Sequence, residues 1–442
     1  MSPPQLLATG LCVVILVGTL LLVTPLAAAD GASVGWSAAF FTATSAACVT
    51  GLVVVDTPTA FSGFGQAVVL VLIQIGGLGY MTLATFISML IGRRVSMNDQ
   101  VSLQESLNLD SRREVTRFAL TVVKVTLVFE AVGALILAVR WWPEFGAAEA
   151  AWQGLFHSVS AFNNAGFSLF SYSLMDWRSD LVINVTIMAQ IIAGGIGYLV
   201  LADVSRWRTQ RRLSMHSQFV IGLSAVLLVV GAVGLYLVER GNPATLGGVG
   251  RSDAALAALF QSVTARTAGF NSIDMSALAP PSYLLLLVLM FIGGGPGGTA
   301  GGIKVSTFGV TVMALWATIR GTREPHVLKR RIPGDVVARA FFISLIGFFS
   351  LNLVAGALLV MEGAAMLPTL FESASAFGTV GLSTGVPGTP LSLSAAFSDP
   401  GRLLICLLMF AGRIGPLTLA FALAARQTAP RVRYPEGRVL IG

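Results

Sequence analysis

The chain has 442 residues, of which 55% are hydrophobic and only 11% charged, with a mean hydropathy of +0.80. A soluble domain carries about 25% charged residues, so a soluble multidomain enzyme is excluded. The net charge of +7 then reads as basic loops on one membrane face, not as a nucleic-acid surface.

The apolar residues gather in stretches long enough to cross a hydrocarbon core of about 30 Å. Residues 9–28 come first. No basic region precedes them, so they read as a retained span and not as a cleaved leader. Next comes a shorter apolar segment rich in Ser, Thr and Ala, 35–47, and then a second span, 66–91. The same order recurs as 117–139, 150–162 and 181–204, as 217–238, 254–265 and 282–318, and as 338–361, 366–377 and 402–425. The short members have about 12 residues, too few to span and suited to a re-entrant helix. The expected fold is an all-α polytopic membrane protein of eight spans and four re-entrant pore helices. Its units are 1–92, 93–212, 213–325 and 326–442.

Self-similarity supports the duplication. The short segments read FTATSAACVTGL from Phe41, FHSVSAFNNAGF from Phe156, FQSVTARTAGF from Phe260 and FESASAFGTVGL from Phe371. Each runs from Phe to a glycine: Gly51, Gly166, Gly269 and Gly381. The third copy is one residue shorter between Thr264 and Gly269. The following spans share a second motif: IGGLGY from Ile75, GGIGY from Gly194, GGGPGG from Gly293 and GRIG from Gly412.

Loop charge gives an orientation. Segments 92–117, 205–216, 319–339 and 426–442 carry 19 Lys/Arg and 7 Asp/Glu, whereas the opposite loops carry 5 and 11. The positive-inside rule puts both termini in the cytoplasm and brings all four short helices in from outside. The acidic outer face would concentrate cations.

Four equivalent re-entrant loops around one axis make a pseudo-fourfold pore. Non-helical backbone at membrane depth is tolerated only where it is buried or lines water. Rings of carbonyls can replace the hydration shell of a potassium ion. A strand that turns its carbonyls inward needs glycine where φ becomes positive. The candidate filter residues are Val49, Thr50, Gly51 and Leu52; Asn164, Ala165, Gly166 and Phe167; Thr267, Ala268, Gly269 and Phe270; and Thr379, Val380, Gly381 and Leu382. The fourth set is close to the TVGYG filter of potassium channels. The potassium ion would be held by backbone carbonyls as cargo, with no resident cofactor.

On these motifs the sequence resembles the Trk/Ktr/HKT superfamily of potassium transporters, most closely the bacterial KtrB-type membrane subunit. The resemblance implies four M1–P–M2 units with one filter glycine each. Sodium-favouring plant relatives often carry Ser at the first of these positions. Gly51 stands there in this chain, which favours potassium.

Segment 282–318 is too long for one span and is broken by Gly293, Gly294, Gly295, Pro296, Gly297, Gly298, Thr299, Ala300, Gly301 and Gly302. Such a run cannot stay helical. It could be a kink for packing, but the resemblance makes 293–303 an intramembrane gating loop, and that reading is preferred. Lys304, directly after it, either holds the loop or snorkels. Arg413, in the last span, must face water or a partner. As an ion pair it would need Glu130 or Glu372. As a barrier it would stand in the cation path, where the resemblance also puts an arginine, and the barrier is preferred. Arg266 is expected to pair with Glu372 or another acid behind the filter. Glu130 reads as a packing anchor; the alternative, a proton relay, has no chain of partners visible in the sequence. His157, His216 and His326 are scattered and read as no metal site. Cys12, Cys48 and Cys406 are odd in number and suggest no disulfide framework.

No GxGxxG follows a strand. Nucleotide control would therefore come from a partner, which the resemblance gives as a cytosolic RCK-type, KtrA-like ring binding ATP or ADP. The resemblance also implies a homodimer of the membrane subunit in the bacterial inner (plasma) membrane. An ion-coupled (Na⁺ or H⁺) secondary transporter is the alternative, but it predicts inverted repeats or two halves, whereas these repeats are parallel. A Na⁺-permeable relative is a further alternative. No span carries the metal or nucleophile set of an embedded enzyme, or the Arg repeat of a voltage sensor.

Overall fold

The computed structural model describes residues 3–79, 112–322, 324–415 and 418–419. The 92–117 loop as far as residue 111, the ends of the expected spans 66–91 and 402–425, and the 426–442 tail lie outside the described residues.

A long helix, a short helix and further apolar helices follow one another four times. The first set is α1 (Pro3–Leu22), α2 (Trp36–Ala47) and α3 (Gly63–Leu78). The second is α4 (Arg112–Phe145), α5 (Ala147–Phe162), α6 (Leu181–Gly195) and α7 (Tyr198–Gln210). The third is α8 (Met215–Glu239), α9 (Arg251–Thr264), α10 (Pro280–Phe291) and α11 (Val305–Ile319). The fourth is α12 (Gly334–Glu362), α13 (Met366–Gly378) and α14 (Asp399–Ile414). A small antiparallel hairpin, His326–Val327 against Arg330–Arg331, links α11 to α12.

Among the described residues, four helices are long and apolar enough to cross a membrane: Gln5–Leu22, Ala119–Phe145, Met215–Glu239 and Gly334–Glu362. They are the long helices that open each set. Only 17–33% of each span is buried inside the molecule, so most of its apolar surface faces outward, as hydrocarbon requires. Leu353 and Val360 of α12, 75% and 87% exposed, belong to that surface.

The expected second spans are not continuous. Helix α3 stops at Leu78 and α14 at Ile414, and α6 meets α7 at a bend of 105°. The cause is one glycine in each: Gly79, Gly197 and Gly415 adopt φ of +74°, +102° and +93°. A helix cannot continue through that conformation. In the third set the glycine-proline run 292–304 separates α10 from α11. The sequence motif placed a break only there, whereas all four sets have one.

The helix starts follow local chemistry. Ser62, Asp180 and Ser398 cap α3, α6 and α14, accepting from the backbone N–H of Gly65, Ile183 and Gly401. Helix α10 instead begins on Pro280, whose missing N–H costs nothing at a first turn.

Lipid removes the hydrophobic drive between helices, so close packing and polar contacts decide the assembly. Helix α3 packs on α5, α6 on α9, α10 on α13, and α14 returns to α2. The four sets thus form a closed cycle. The short helices form its core, and Phe41, Phe156, Phe260 and Phe371 are all fully buried. Small residues permit the approach. A Cβ on Gly76, Gly194 or Gly412 would collide with the carbonyl oxygen of Ala47, Phe162 or Phe377 respectively, at the end of the same set's short helix.

Candidate functional site

Each short helix ends in the same backbone turn. Val49, Asn164, Thr267 and Thr379 have φ of +58°, +59°, +77° and +49°. Two residues later Gly51, Gly166, Gly269 and Gly381 have φ of +94°, +71°, +82° and +96°. A non-glycine residue in this region costs about 1–2 kcal/mol. The strain recurs at four equivalent positions, as expected where function demands a conformation. The turn is held from the helix. The N–H groups of Thr50, Ala165 and Val380 each donate to the carbonyl of Ser45, Ser160 or Ser375 at 2.8 Å. In the shorter third copy Ala268 N–H donates to Thr264 O at 2.9 Å. Gly51 and Gly381 N–H donate to the Ser45 and Ser375 hydroxyls at 3.0 Å.

The four glycines meet in order. A Cβ on Gly51 would lie 2.5 Å from Ala165 O, and one on Gly166 would lie 2.7 Å from Ala268 O. On Gly269 it would collide with Val380 O, and on Gly381 with Thr50 O. Each missing side chain is therefore space taken by the carbonyl that precedes the next glycine, and the cycle closes. Thr50, Ala165, Ala268 and Val380 bring four carbonyl oxygens to one place, where their dipoles favour a cation. The following Leu52, Phe167, Phe270 and Leu382 are buried and pack behind the turns.

On one side of the ring lies a cavity of about 290 Å³ lined by all four glycines together with Asp56 and Asp274. The sequence reading did not single out these two acids. Both stand five residues past a glycine of the ring, in copies one and three. Asp56 accepts from the hydroxyls of Ser171 and Thr59, both at 2.7 Å. Asp274 accepts from Ser276 O–H at 2.7 Å.

Against the ring lies the glycine-rich run. Its neck is closed by Gly293 N–H on Ile303 O at 2.8 Å. Gly295 N–H donates to Gly195 O at 2.7 Å, and Thr299 N–H to Gly194 O at 3.1 Å, so the run is pinned to the break after α6. The Thr299 hydroxyl lies 3.1 Å from the Asn164 side-chain amide and 3.2 Å from Phe162 O. A Cβ on Gly301 would meet the Thr379 side chain. Gly294 and Gly298 let the run pack on the backbone of Gly194–Gly197 and Gly302 on Gly378, Gly297 O accepts from Tyr198 N–H at 3.1 Å, and Pro296 O faces Gly197. Lys304 turns back onto the run and donates to Ala300 O at 2.5 Å. That contact fits the reading in which Lys304 holds the loop.

Arg413 reaches the same place from α14, donating to the carbonyls of Thr299 and Gly76 and, at 3.4 Å, to Gly77 O. Its partners are carbonyls freed at two helix breaks, so the alternative of an ion pair with Glu130 or Glu372 falls. The Arg266 expectation is corrected too. Arg266 donates to Gly293 O at 2.8 Å and to Ser224 O at 3.4 Å. Glu372 instead accepts from Ser383 O–H, Ser394 O–H and Ser394 N–H. Glu130 accepts from the amides of Gln74 and Asn163 at 3.2 and 2.9 Å. It ties α3, α4 and α5 together, a packing anchor as expected.

The family described as TrkH, cation transport protein, matches residues 9–431. The chain is 39% identical over 441 residues to the Ktr system potassium uptake protein B of Bacillus subtilis (strain 168), covering 100% of this chain and 97% of that one. It is 40% identical over 443 residues to the protein of the same name in Vibrio alginolyticus, covering 99% and 95%. Among solved structures, the potassium transporter TrkH from Vibrio parahaemolyticus superposes with a TM-score of 0.73 at 18% identity, over 94% of this chain and 85% of that one. That identity speaks to the fold alone. These relatives are transporters and not enzymes, and they match over nearly the whole length. The chain is a multi-pass membrane protein and belongs to the TrkH family of cation transport proteins.

Proposed function

We propose that the chain is the membrane subunit of a potassium-uptake system and conducts K⁺ passively through the ring of Gly51, Gly166, Gly269 and Gly381. One observation carries this reading: the cyclic order in which each filter glycine faces the carbonyl preceding the next. The units are M1–P–M2 repeats, 1–92, 93–212, 213–325 and 326–442. Thr50, Ala165, Ala268 and Val380 supply oxygens in place of water. The run 293–303 is the gate, and Lys304 and Arg413 hold it closed through Ala300 O and Thr299 O. Arg413 adds a positive charge where a leaving cation must pass.

Loop charge favours cytoplasmic termini in a bacterial inner membrane, with the cavity of Asp56 and Asp274 facing out. The names of the two Ktr relatives support a multi-component system; its regulator would be a cytosolic RCK-type, KtrA-like nucleotide-binding ring and its base a homodimer of this chain, as the family resemblance implies. The parallel repeats speak against ion-coupled alternating access.

The test is cation flux into proteoliposomes holding the purified chain alone under an imposed potential. K⁺ and Rb⁺ are expected to enter well ahead of Na⁺. Equal entry of all three would reject the selective ring. Flux that needs an opposing Na⁺ or H⁺ gradient, not a potential, would favour the coupled transporter.

A further inference from the structure

In each short helix the residue after the buried phenylalanine is polar: Thr42, His157, Gln261 and Glu372. All four are buried. They stand in register, yet their partners differ. Two of them reach the strand that leaves the filter, two residues past its glycine. His157 Nε2 lies 2.9 Å from Ser168 Oγ, and Glu372 Oε2 lies 2.6 Å from Ser383 Oγ.

The proton placement follows from the partners. His157 Nδ1 faces Gln153 O at 2.8 Å. A carbonyl only accepts, so Nδ1 carries the hydrogen and Nε2 accepts from the Ser168 hydroxyl. The His157 ring is wedged in place, stacked on Phe170 at 4.7 Å and set edge-on to Trp141 at 5.1 Å. Ser383 O–H likewise donates to Glu372, whose other oxygen is held by Ser394 O–H and N–H at 2.6 and 2.9 Å. Both serines then do the same second task. Ser168 Oγ accepts from Phe170 N–H at 2.9 Å, and Ser383 Oγ accepts from Gly385 N–H at 3.0 Å. Each clamp thus ties its short helix to the strand at the serine and two residues beyond it.

The other two copies have no such clamp. Val53 and Asn271 stand where the serines would. Thr42 Oγ1 has no partner among the described residues, and Gln261 Nε2 turns to Met275 Sδ.

We propose that Glu372 and His157 are positioning residues of the filter. They hold the loops of copies four and two, two alternate members of the ring, at the spacing that discriminates K⁺ from Na⁺. Past the glycine, the loops of copies one and three are instead held by serines of the adjacent copies, Val53 N–H donating to Ser392 Oγ at 2.9 Å and Asn271 N–H to Ser173 Oγ at 3.2 Å. This rests on the conduction reading above.

The experiment compares K⁺ and Na⁺ flux in proteoliposomes for the parent chain, Ser383→Ala, Glu372→Ala, the pair together, Ser168→Ala and Thr42→Val. Loss of a buried hydrogen bond to a carboxylate is expected to lower the K⁺/Na⁺ ratio about tenfold for Ser383→Ala and for Glu372→Ala. The double variant falls no further than the lower single, because both remove one clamp. Ser168→Ala falls less, its partner being neutral, and Thr42→Val keeps the parent ratio. Additive losses, or an equal loss in Thr42→Val, would overturn the clamp. Should Glu372→Ala fail to fold, Ser383→Ala carries the test, since it leaves the Glu372–Ser394 contacts intact. Amide hydrogen exchange over 379–386 gives a readout free of transport. It is expected to quicken in Ser383→Ala, and unchanged protection would count against positioning. A parent chain without K⁺ preference would reject conduction, a result distinct from a selective parent whose ratio survives Ser383→Ala.

Discussion

Gly51 has neither the space nor the backbone for a side chain. At φ +94° an L-residue is strained, and a Cβ would lie 2.5 Å from Ala165 O. Gly51→Ser must therefore push that carbonyl out of the ring or twist its own strand. The K⁺/Na⁺ flux ratio is expected to fall by about tenfold or more, equivalent to 1.4 kcal/mol of discrimination. An unchanged ratio in folded protein would remove Gly51 from the filter. At the other face, Arg413 grips Thr299 O and Gly76 O at once. Arg413→Ala removes both bonds and the charge, so basal K⁺ flux is expected to rise several-fold in the purified chain. Lysine keeps the charge but lacks the planar fork, so Arg413→Lys is expected to fall between parent and alanine. Flux in Arg413→Ala at the parental level would show that the arginine neither blocks nor latches. The sequence exposed the arginine, but the ion-pair alternative misjudged its surroundings. The reading of a lone charge in a span looked for an acid, whereas helix breaks at Gly79 and in the 292–304 run leave bare carbonyls that serve a guanidinium equally well. Arg266, on Gly293 O, repeats that lesson.

At the scale of elements the short helices were legible to within about three residues, 150–162 and 254–265 beginning earlier as Ala147–Phe162 and Arg251–Thr264. The expected 35–47 and 366–377 stand beside Trp36–Ala47 and Met366–Gly378, because a 12-residue apolar run has few alternatives in a membrane. The interruptions of the second spans were not. A glycine inside an apolar stretch serves close packing as readily as termination, and only the positive φ of Gly79, Gly197 and Gly415 separates the two uses. The same motif does both jobs: its first glycine touches the short helix and its last ends the span. Gly412→Leu should therefore force α14 off the Phe377 carbonyl. Overpacking of this kind costs about 1–3 kcal/mol, and a lower melting temperature in detergent is the expected result. An unaltered melting temperature would mean that α14 does not pack there as closely as described. The run between α10 and α11 is a second element with its own test. It is fixed to Gly194 O, Gly195 O, Phe162 O and Asn164, by Tyr198 N–H, and through Arg266, Lys304 and Arg413. Deleting 295–301 is expected to raise basal K⁺ flux in protein that still folds. Parental flux after the deletion would leave the run as a packing kink.

Over the whole molecule, charge and symmetry act together. The duplication was visible because four phenylalanines and four glycines recur in phase. The acids near the ring were hidden because they follow only half of the pattern. Asp56 and Asp274 stand five residues past Gly51 and Gly269, where the other copies have Ser171 and Val386. Only the folded ring brings the two acids to one cavity with all four glycines. A concave, low-dielectric mouth focuses the field of its charges and raises the local cation concentration. The effect works at a distance and is screened by salt, with a Debye length of about 30 Å at 0.01 M and about 8 Å at 0.15 M. A carbonyl ring that touches the ion, as proposed, would not be screened. Replacing both acids by Asn should therefore slow K⁺ uptake several-fold at about 0.01 M ionic strength and hardly at all at about 0.15 M, with the K⁺/Na⁺ ratio unaltered throughout. Neither substitution breaks the ring, and each asparagine can still accept from the neighbouring serine. A loss independent of salt would instead mean that the carboxylates bind the ion directly. No loss at either salt would mean that the cation reaches the ring without passing these two acids.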